Sequence, residues 1–134
     1  MISDRRPPLK RRSRRVWLEG ALALALTGCS GQPKPGDPVV AEQTLRAALD
    51  AWKSGEAAPT LAERRPPIYV VDHEWQSGLK LVRYEIEGSG EALGFDLRCA
   101  AKLWLQDPRA QKVQRKAVYT VATHPVQTVV REDP

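Results

Sequence analysis

Residues 37–55, DPVVAEQTLRAALDAWKSG, decide the fold. Apolar side chains recur there every three or four residues, so they share one face of a helix and leave the charged side chains on the other. The Asp-Pro pair at residues 37–38 is typical of a helix start, and Gly55 is typical of a helix end. The sequence therefore predicts an amphipathic helix over residues 38–53. The members of its apolar face are Ala41, Leu45, Ala48 and Trp52.

Beyond residue 67 the apolar pattern changes to a period of two, which is typical of strands with one buried face. The pattern is longest in FDLRCAAKLWL, residues 95–105, where Phe95 and every second residue after it are apolar. Cys99 belongs to this apolar face, and we expect it to be an unreactive core residue. The predicted strands span residues 68–71, 79–87, 95–105, 113–123 and 126–131.

Local signals predict the connections between these elements. Thr60 and Glu63 have the spacing of a capping box, which predicts a short helix over residues 60–64. The Gly-Ser-Gly sequence at residues 88–90 and the Asp-Pro-Arg sequence at residues 107–109 are predicted turns. Within the strand 79–87, alternation places the apolar side chains on one face. These side chains are Val82, Tyr84 and Ile86.

A helix followed by four or five antiparallel strands is an α+β layout. Long strands twist, so the sheet is expected to curve, and the helix 38–53 is the element able to fill it. This order resembles the nuclear transport factor 2-like and cystatin-like superfamilies, as do Asp72, Trp75 and Gly78 at the approach to a strand. The resemblance implies a cone-shaped sheet wrapped around the N-terminal helix.

The charge of the chain is concentrated at its N-terminus. The 134 residues contain 21 Lys and Arg and 16 Asp and Glu, a net charge of +5. The whole excess lies in residues 1–28, and the rest of the chain is balanced. A basic nucleic-acid-binding domain is therefore not supported, and we expect no nucleic-acid partner.

Residues 1–28 have the organisation of a secretory signal, in which a basic segment precedes a short apolar run and small residues. A spanning helix needs about 20 mostly apolar residues, and the apolar run at residues 20–27 is shorter. Leu26-Thr27-Gly28-Cys29 resembles the lipobox of bacterial lipoproteins. The resemblance implies cleavage between Gly28 and Cys29 and acylation of the Cys29 thiol. Ser30 after the cysteine implies sorting to the outer membrane, facing the periplasm.

A second resemblance leaves the export route open. Residues 13–18, Ser-Arg-Arg-Val-Trp-Leu, resemble the twin-arginine export consensus, but a basic segment of an ordinary secretory signal also contains Arg-Arg pairs. The segment 29–37 is rich in Gly and Pro and is predicted to be a flexible tether. The predicted organisation is a signal peptide at 1–28, this tether, and one α+β domain at 38–134.

Asp72, His73 and Glu74 form the densest group of titratable side chains, and such a group can perform acid–base chemistry. However, neighbouring residues of a regular strand point to opposite faces, which favours a polar turn where Asp72 accepts backbone hydrogen bonds. His73, His124 and Cys99 are too far apart in sequence for a known metal motif. We therefore expect neither a metal nor a cofactor, and Cys99 has no disulfide partner once Cys29 carries lipid.

Asp96 and Arg98 lie on the strand face opposite Leu97, with Trp104 further along. Because the large apolar side chains must be inside, this face is expected to meet solvent, and Trp104 could contact a partner. Two functions remain open. The first is a lipid-anchored, non-catalytic binding module for a protein or another envelope component. The second is a ligand-binding or isomerase-like pocket inside the cone, with acid–base groups such as Asp72, His73, Tyr84 or Asp96.

Overall fold

The computed structural model describes residues 37–132. The predicted signal peptide, the Gly28–Cys29 cleavage and lipidation site and nearly all of the tether lie outside these residues. The chain forms an α+β fold in which few helices accompany a five-stranded, open, curved sheet, as the sequence predicts. In chain order the elements are α1 (Pro38–Lys53), a 3-10 helix (Ala58–Glu63), β1 (Ile68–Val71), α2 (His73–Gln76), β2 (Lys80–Leu93), β3 (Asp96–Gln106), β4 (Lys112–Ala122) and β5 (Gln127–Arg131).

The sheet is mixed, so the prediction of a purely antiparallel sheet was wrong. The strand order is β1-β5-β4-β3-β2, and β1 runs parallel to β5, with Ile68 opposite Gln127. Strands β2 to β5 form an antiparallel meander that starts at the far edge of the sheet. The chain therefore returns beside β1 in the same direction, and α2 with the meander supplies the long connection that a parallel pair needs.

Helix α1 spans the predicted residues because its start is capped as the sequence indicates. The Asp37 carboxylate accepts a hydrogen bond of 3.0 Å from the Val39 amide, and Pro38 occupies the first turn. Trp52 anchors the other end of the helix, where its indole N–H donates to the Leu79 carbonyl at 2.8 Å. Its ring stacks on Trp75 with 5.2 Å between centroids. The helix is thus fixed to the segment that leads into β2.

The core lies between α1 and one face of the sheet. The predicted apolar faces of α1 and β3 both contribute to it, and Cys99 is 1% exposed. Burial raises the pKa of the Cys99 thiol, which keeps it protonated and unreactive. The largest fully buried apolar side chains, beside Tyr119, are Leu45, Leu49, Leu61, Leu103, Leu105, Val121 and Val129.

The predicted turn at residues 88–90 is instead an irregularity inside β2. Glu87 pairs with Ala100 and Glu91 pairs with Arg98, so the three residues from 88 to 90 lie opposite one residue of β3. Glycine is needed at position 90 because its φ is +77° and a Cβ there would lie 2.8 Å from the Leu97 side chain. The strand therefore bulges and continues to Leu93.

Three further details of the prediction were wrong. A second register shift between Leu81 and Arg83 leaves Val82 44% exposed, so it does not share the face of Tyr84 and Ile86. Phe95 is 73% exposed, because the chain turns there before β3 begins. The helix after α1 starts earlier and is a 3-10 helix, and the Thr60 hydroxyl donates to the Ala57 carbonyl at 2.7 Å instead of capping a new helix.

Candidate functional site

The described domain has an open cleft of about 690 Å³. It lies where β5 ends beside the longer strand β4, which continues to Lys112 beyond its last pairing with β5 at Tyr119. Cationic side chains outnumber carboxylates around it. The residues lining the cleft are His73, Glu74, Arg98, Arg115, Lys116, Val118, Arg131 and Glu132.

A buried polar cluster lies under this cleft, and Asp72 is at the centre of the cluster. Asp72 is 1% exposed and caps α2, accepting from the backbone amides of Glu74 at 2.9 Å and Trp75 at 3.2 Å. Its other carboxylate oxygen accepts from the Tyr119 hydroxyl at 2.6 Å. Asp72 accepts backbone hydrogen bonds as predicted, but it caps the short helix α2 in place of the predicted turn, and its carboxylate is also buried.

Arg131 supplies the positive charge of the cluster. Its side chain is 6% exposed and lies between two carboxylates, with Nη1 at 3.4 Å from Asp72 Oδ1 and Nη2 in an ion pair with Glu74 Oε1. The Arg131–Glu74 pair is close but not aligned as a hydrogen bond. Glu74 Oε2 also lies 3.4 Å from Arg115 Nε, whose side chain is 54% exposed. Each buried charge in the cluster thus has a partner, as burial in a low dielectric requires.

These contacts shift the protonation equilibria of the cluster. Burial, and then the charge of Asp72, raises the pKa of Tyr119, so that its hydroxyl stays protonated and donates to Asp72. Burial lowers the pKa of Arg131, but the neighbouring Asp72, Tyr119 and Glu74 together outweigh burial, so that the pKa is raised. The neutral phenol therefore donates a hydrogen bond to Asp72, and the charged guanidinium faces both carboxylates.

The second wall of the cleft is formed by exposed groups on the other face of the sheet. Arg98 donates two hydrogen bonds to Glu132 Oε2, from Nη2 at 2.7 Å and from Nε at 3.0 Å. Thr120 donates to the other oxygen of Glu132 at 3.0 Å. The hydrogen bond from Arg98 lowers the pKa of Glu132. Lys116 lies beside this pair and forms no ion pair with any described residue.

The predicted site residues are only partly brought together. Asp72 lies under the cleft, whereas His73 and Arg98 line it. Asp96, half-buried at the start of β3, does not line it. Trp104 is also elsewhere: it is half-buried, and the Arg83 guanidinium lies 4.6 Å from its ring centroid.

The comparisons with known proteins return no relative. Neither a family model, nor a curated protein, nor a solved structure matches the chain.

Two features are absent from the described part of the chain. Within residues 37–132, no three His, Cys, Asp or Glu side chains gather into a group that could hold a metal ion. No helix in the same range is long and apolar enough to cross a bilayer. His124 and Cys99 do not line the cleft that His73 lines.

Sequence reasoning missed the residues that dominate the cleft and the polar cluster under it. Alternation along the strands could have indicated two of them. Arg131 lies on the same strand face as the buried Val129, and Tyr119 lies on the same face as Val121. A charged residue on the inward-facing side of a strand needs a buried partner. No comparable signal marks Arg115 or Lys116, whose importance depends on where β5 ends.

Proposed function

We propose that the chain is a bacterial lipoprotein of the cell envelope, in which a lipid on Cys29 anchors a non-catalytic binding domain. The observation that carries the proposal is Leu26-Thr27-Gly28-Cys29 directly after the apolar run at residues 20–27. Acyl chains contribute about 0.8 kcal/mol for each buried CH₂ group, so two or three chains would hold the protein on a membrane. Ser30 supports the outer membrane as its destination and the periplasm as the compartment of the domain.

For the domain we propose a cone of the nuclear transport factor 2-like or cystatin-like kind. The contacts of α1 with the sheet support this proposal. Trp52 of α1 donates to the Leu79 carbonyl just before β2, and Asp50 of α1 accepts from the Tyr84 hydroxyl of β2 at 2.7 Å. The last turns of the helix are therefore attached to β2 and to the residue before it. The interior is occupied by large side chains such as Leu45 and Tyr119. This filling favours a domain that binds partners on its surface.

The pairing of the buried charges also favours binding over catalysis. An acid–base catalyst needs a group free to exchange a proton with a substrate. Asp72 instead accepts from two backbone amides and Tyr119 and lies against Arg131. Glu74 lies between two arginines. These carboxylates are committed to holding α2 and β5 together.

Mass spectrometry of the protein from a bacterial membrane fraction tests the lipoprotein proposal. The expected mature chain begins at Cys29 and carries acyl chains. Cys29→Ala should block acylation and keep the leader attached, whereas Cys99→Ala, the matched control, should leave processing unchanged. Wild-type protein that is cut at another bond, with an unmodified Cys29, would contradict the proposal.

One observation favours isomerase-like acid–base chemistry as a second candidate, in the open cleft and not inside the filled cone. His73 and Glu74 both line the cleft of about 690 Å³, which is large enough for a small ligand. A Δ5-3-ketosteroid is a suitable probe, because moving its proton gives a conjugated enone with a distinct ultraviolet absorbance. Turnover that is lost in both His73→Ala and Glu74→Gln would support this candidate. Our first proposal expects no turnover in the wild-type protein.

A further inference from the structure

We infer that the edge of β4 from Lys112 to Lys116, together with the cleft beside it, binds an acidic peptide in extended conformation. The peptide would continue the sheet beyond the end of β5. This inference rests on the proposed binding function and specifies the chemistry of the partner. Lys112, Gln114, Arg115 and Lys116 are exposed, so a strand can reach them from solvent.

The backbone of this edge is oriented for strand addition. The Val118 carbonyl accepts a hydrogen bond from the Glu132 amide at 2.8 Å. Val118 and every second residue of β4 counted from it therefore direct their backbone N–H and C=O groups toward the side of β5. Gln114 and Lys116 are among these residues, but β5 does not extend beside them. Among the described residues, no hydrogen bond outside the β3–β4 ladder uses their backbone groups. Such an edge can accept an added strand.

The charges around this edge specify an acidic strand. Lys112, Arg115 and Lys116 belong to the edge itself, and Arg98 lies on the cleft wall. The nearby carboxylates are already engaged, Glu74 by two arginines and Glu132 by Arg98. Positive charge is therefore left over at the edge. Lysines on an edge strand also disfavour pairing with neutral strands and repel basic strands, whereas they attract an acidic strand.

The alternation of side chains defines the peptide more closely. Lys116 shares the parity of Val118, which lines the cleft on the same wall as Arg98. Acidic residues at alternate positions of the peptide would all meet this face, where opposite charges on neighbouring strands attract. Five residues of β4 are about 17 Å long, so an octapeptide spans the free edge.

The test measures binding of a fluorescent octapeptide of alternating Glu and Thr, with blocked termini, to the full-length protein in a non-ionic detergent. An octapeptide of alternating Lys and Thr is the matched control and should not bind. Lys116→Glu should weaken the binding of the acidic peptide about tenfold, through loss of attraction and added repulsion. Arg109→Glu, an exposed charge reversal in the turn before β4, should leave it nearly unchanged.

Gln114→Pro separates strand addition from simple charge attraction. Its amide points away from β3, so proline there removes a donor from the free edge and leaves the β3–β4 ladder intact. We expect the peptide affinity to fall and hydrogen exchange at residues 112–116 to lose its protection by the peptide. Unchanged affinity in Gln114→Pro would overturn the inference, as would complete displacement of the peptide by inorganic phosphate at matched ionic strength. Self-association through this edge, in place of peptide binding, would equally overturn it.

The Cys29→Ala variant keeps the two proposals apart. Because this variant keeps the basic leader, its control is the double variant with Lys116→Glu, which should still weaken peptide binding about tenfold, since the edge is formed by β4 and not by the anchor or the leader. Absent peptide binding in an acylated protein rejects the peptide site alone. Normal peptide binding in a protein that is never acylated rejects the lipoprotein proposal alone.

Discussion

Two parts of the interior are held together by different chemistry. Around α1, apolar side chains such as Leu45 and Trp52 pack against the sheet, and their contribution depends on area and shape. Around Asp72, a phenol, a guanidinium and two carboxylates are buried together, and their contribution depends on matched charges and hydrogen bonds. A truncation in the apolar part should lower the free energy of unfolding in proportion to the volume removed. In the polar part, the loss of a single charged partner should be enough for a large decrease.

The largest effect is expected from Trp52→Ala, which tests the apolar part. Trp52 is 3% exposed, stacks on Trp75 and donates to the Leu79 carbonyl. Removing the ring leaves a cavity, and we expect the free energy of unfolding to fall by about 3–5 kcal/mol. Urea denaturation followed by circular dichroism measures it. A loss below about 1 kcal/mol would show that the region around α1 is not the main source of stability.

Arg131→Met tests the polar part and should cost about 3 kcal/mol, because it leaves the buried Asp72 without a cation and Glu74 with Arg115 alone. The matched control is Arg64→Met. Arg64 also pairs with a glutamate, Glu56, at 2.6 Å, but this pair is exposed and its loss should cost less than about 1 kcal/mol. Equal losses in the two variants, measured by urea denaturation, would mean that the buried ion pairs contribute no more to stability than an exposed ion pair.

Tyr119→Phe removes one hydroxyl from the same cluster and keeps the buried ring. A hydrogen bond to a charged group contributes about 1.5–3 kcal/mol, so we expect a loss near the lower end of this range at pH 7. Tyr69→Phe, at a tyrosine that is 49% exposed, is the control and should change little. A Tyr119→Phe protein as stable as the wild type would contradict the role given to the hydroxyl.

Alkaline pH gives a second measurement on the same variant. The folded-state pKa of Tyr119 lies above the value of about 10 in the unfolded chain, so above pH 10 the unfolded state binds fewer protons. Stability conferred by this group is complete below pH 10 and declines as the pH rises, by up to about 1.4 kcal/mol per pH unit. Tyr119→Phe should reduce this decline. An unchanged alkaline slope would argue against the raised pKa.

The smallest effect is expected from Trp104→Ala. Trp104 is half-buried on the face of the sheet away from α1, where Arg83 covers its ring. A cation–π contact at an exposed site contributes about 0.5–1 kcal/mol, so the loss should stay near 1 kcal/mol. The two tryptophan variants thus compare the two faces of the sheet. If Trp104→Ala destabilised the protein more than Trp52→Ala, the assignment of the core to the α1 side would be wrong.

The apolar part could be predicted from the sequence because its signals are local. The period of α1 and the alternation of β3 are each contained in fewer than 20 residues, and the side chains that they select are buried, with the exception of Phe95. The bulge at residues 88–90 escaped prediction because Gly-Ser-Gly suits a turn and a bulge equally, and only the pairing of β2 with β3 decides between them.

The polar part could not be predicted because its contacts join distant residues. Tyr119 is 47 positions from Asp72, and Arg131 is 59 positions from it. The sequence identified Asp72 and His73 as notable, but their partners depend on the parallel pairing of β1 with β5, which no local pattern indicates. The cleft depends on the same pairing, since it lies where β5 ends.

This parallel pairing also orders the events of biosynthesis. β1 is an edge strand whose neighbour in the sheet, β5, is about the last part of the domain to be made. Until Arg131 has left the ribosome, Asp72 and Glu74 lack their cation and β1 has no strand beside it. Contacts so distant in sequence form slowly. A growing chain therefore cannot complete its sheet until β5 has been made.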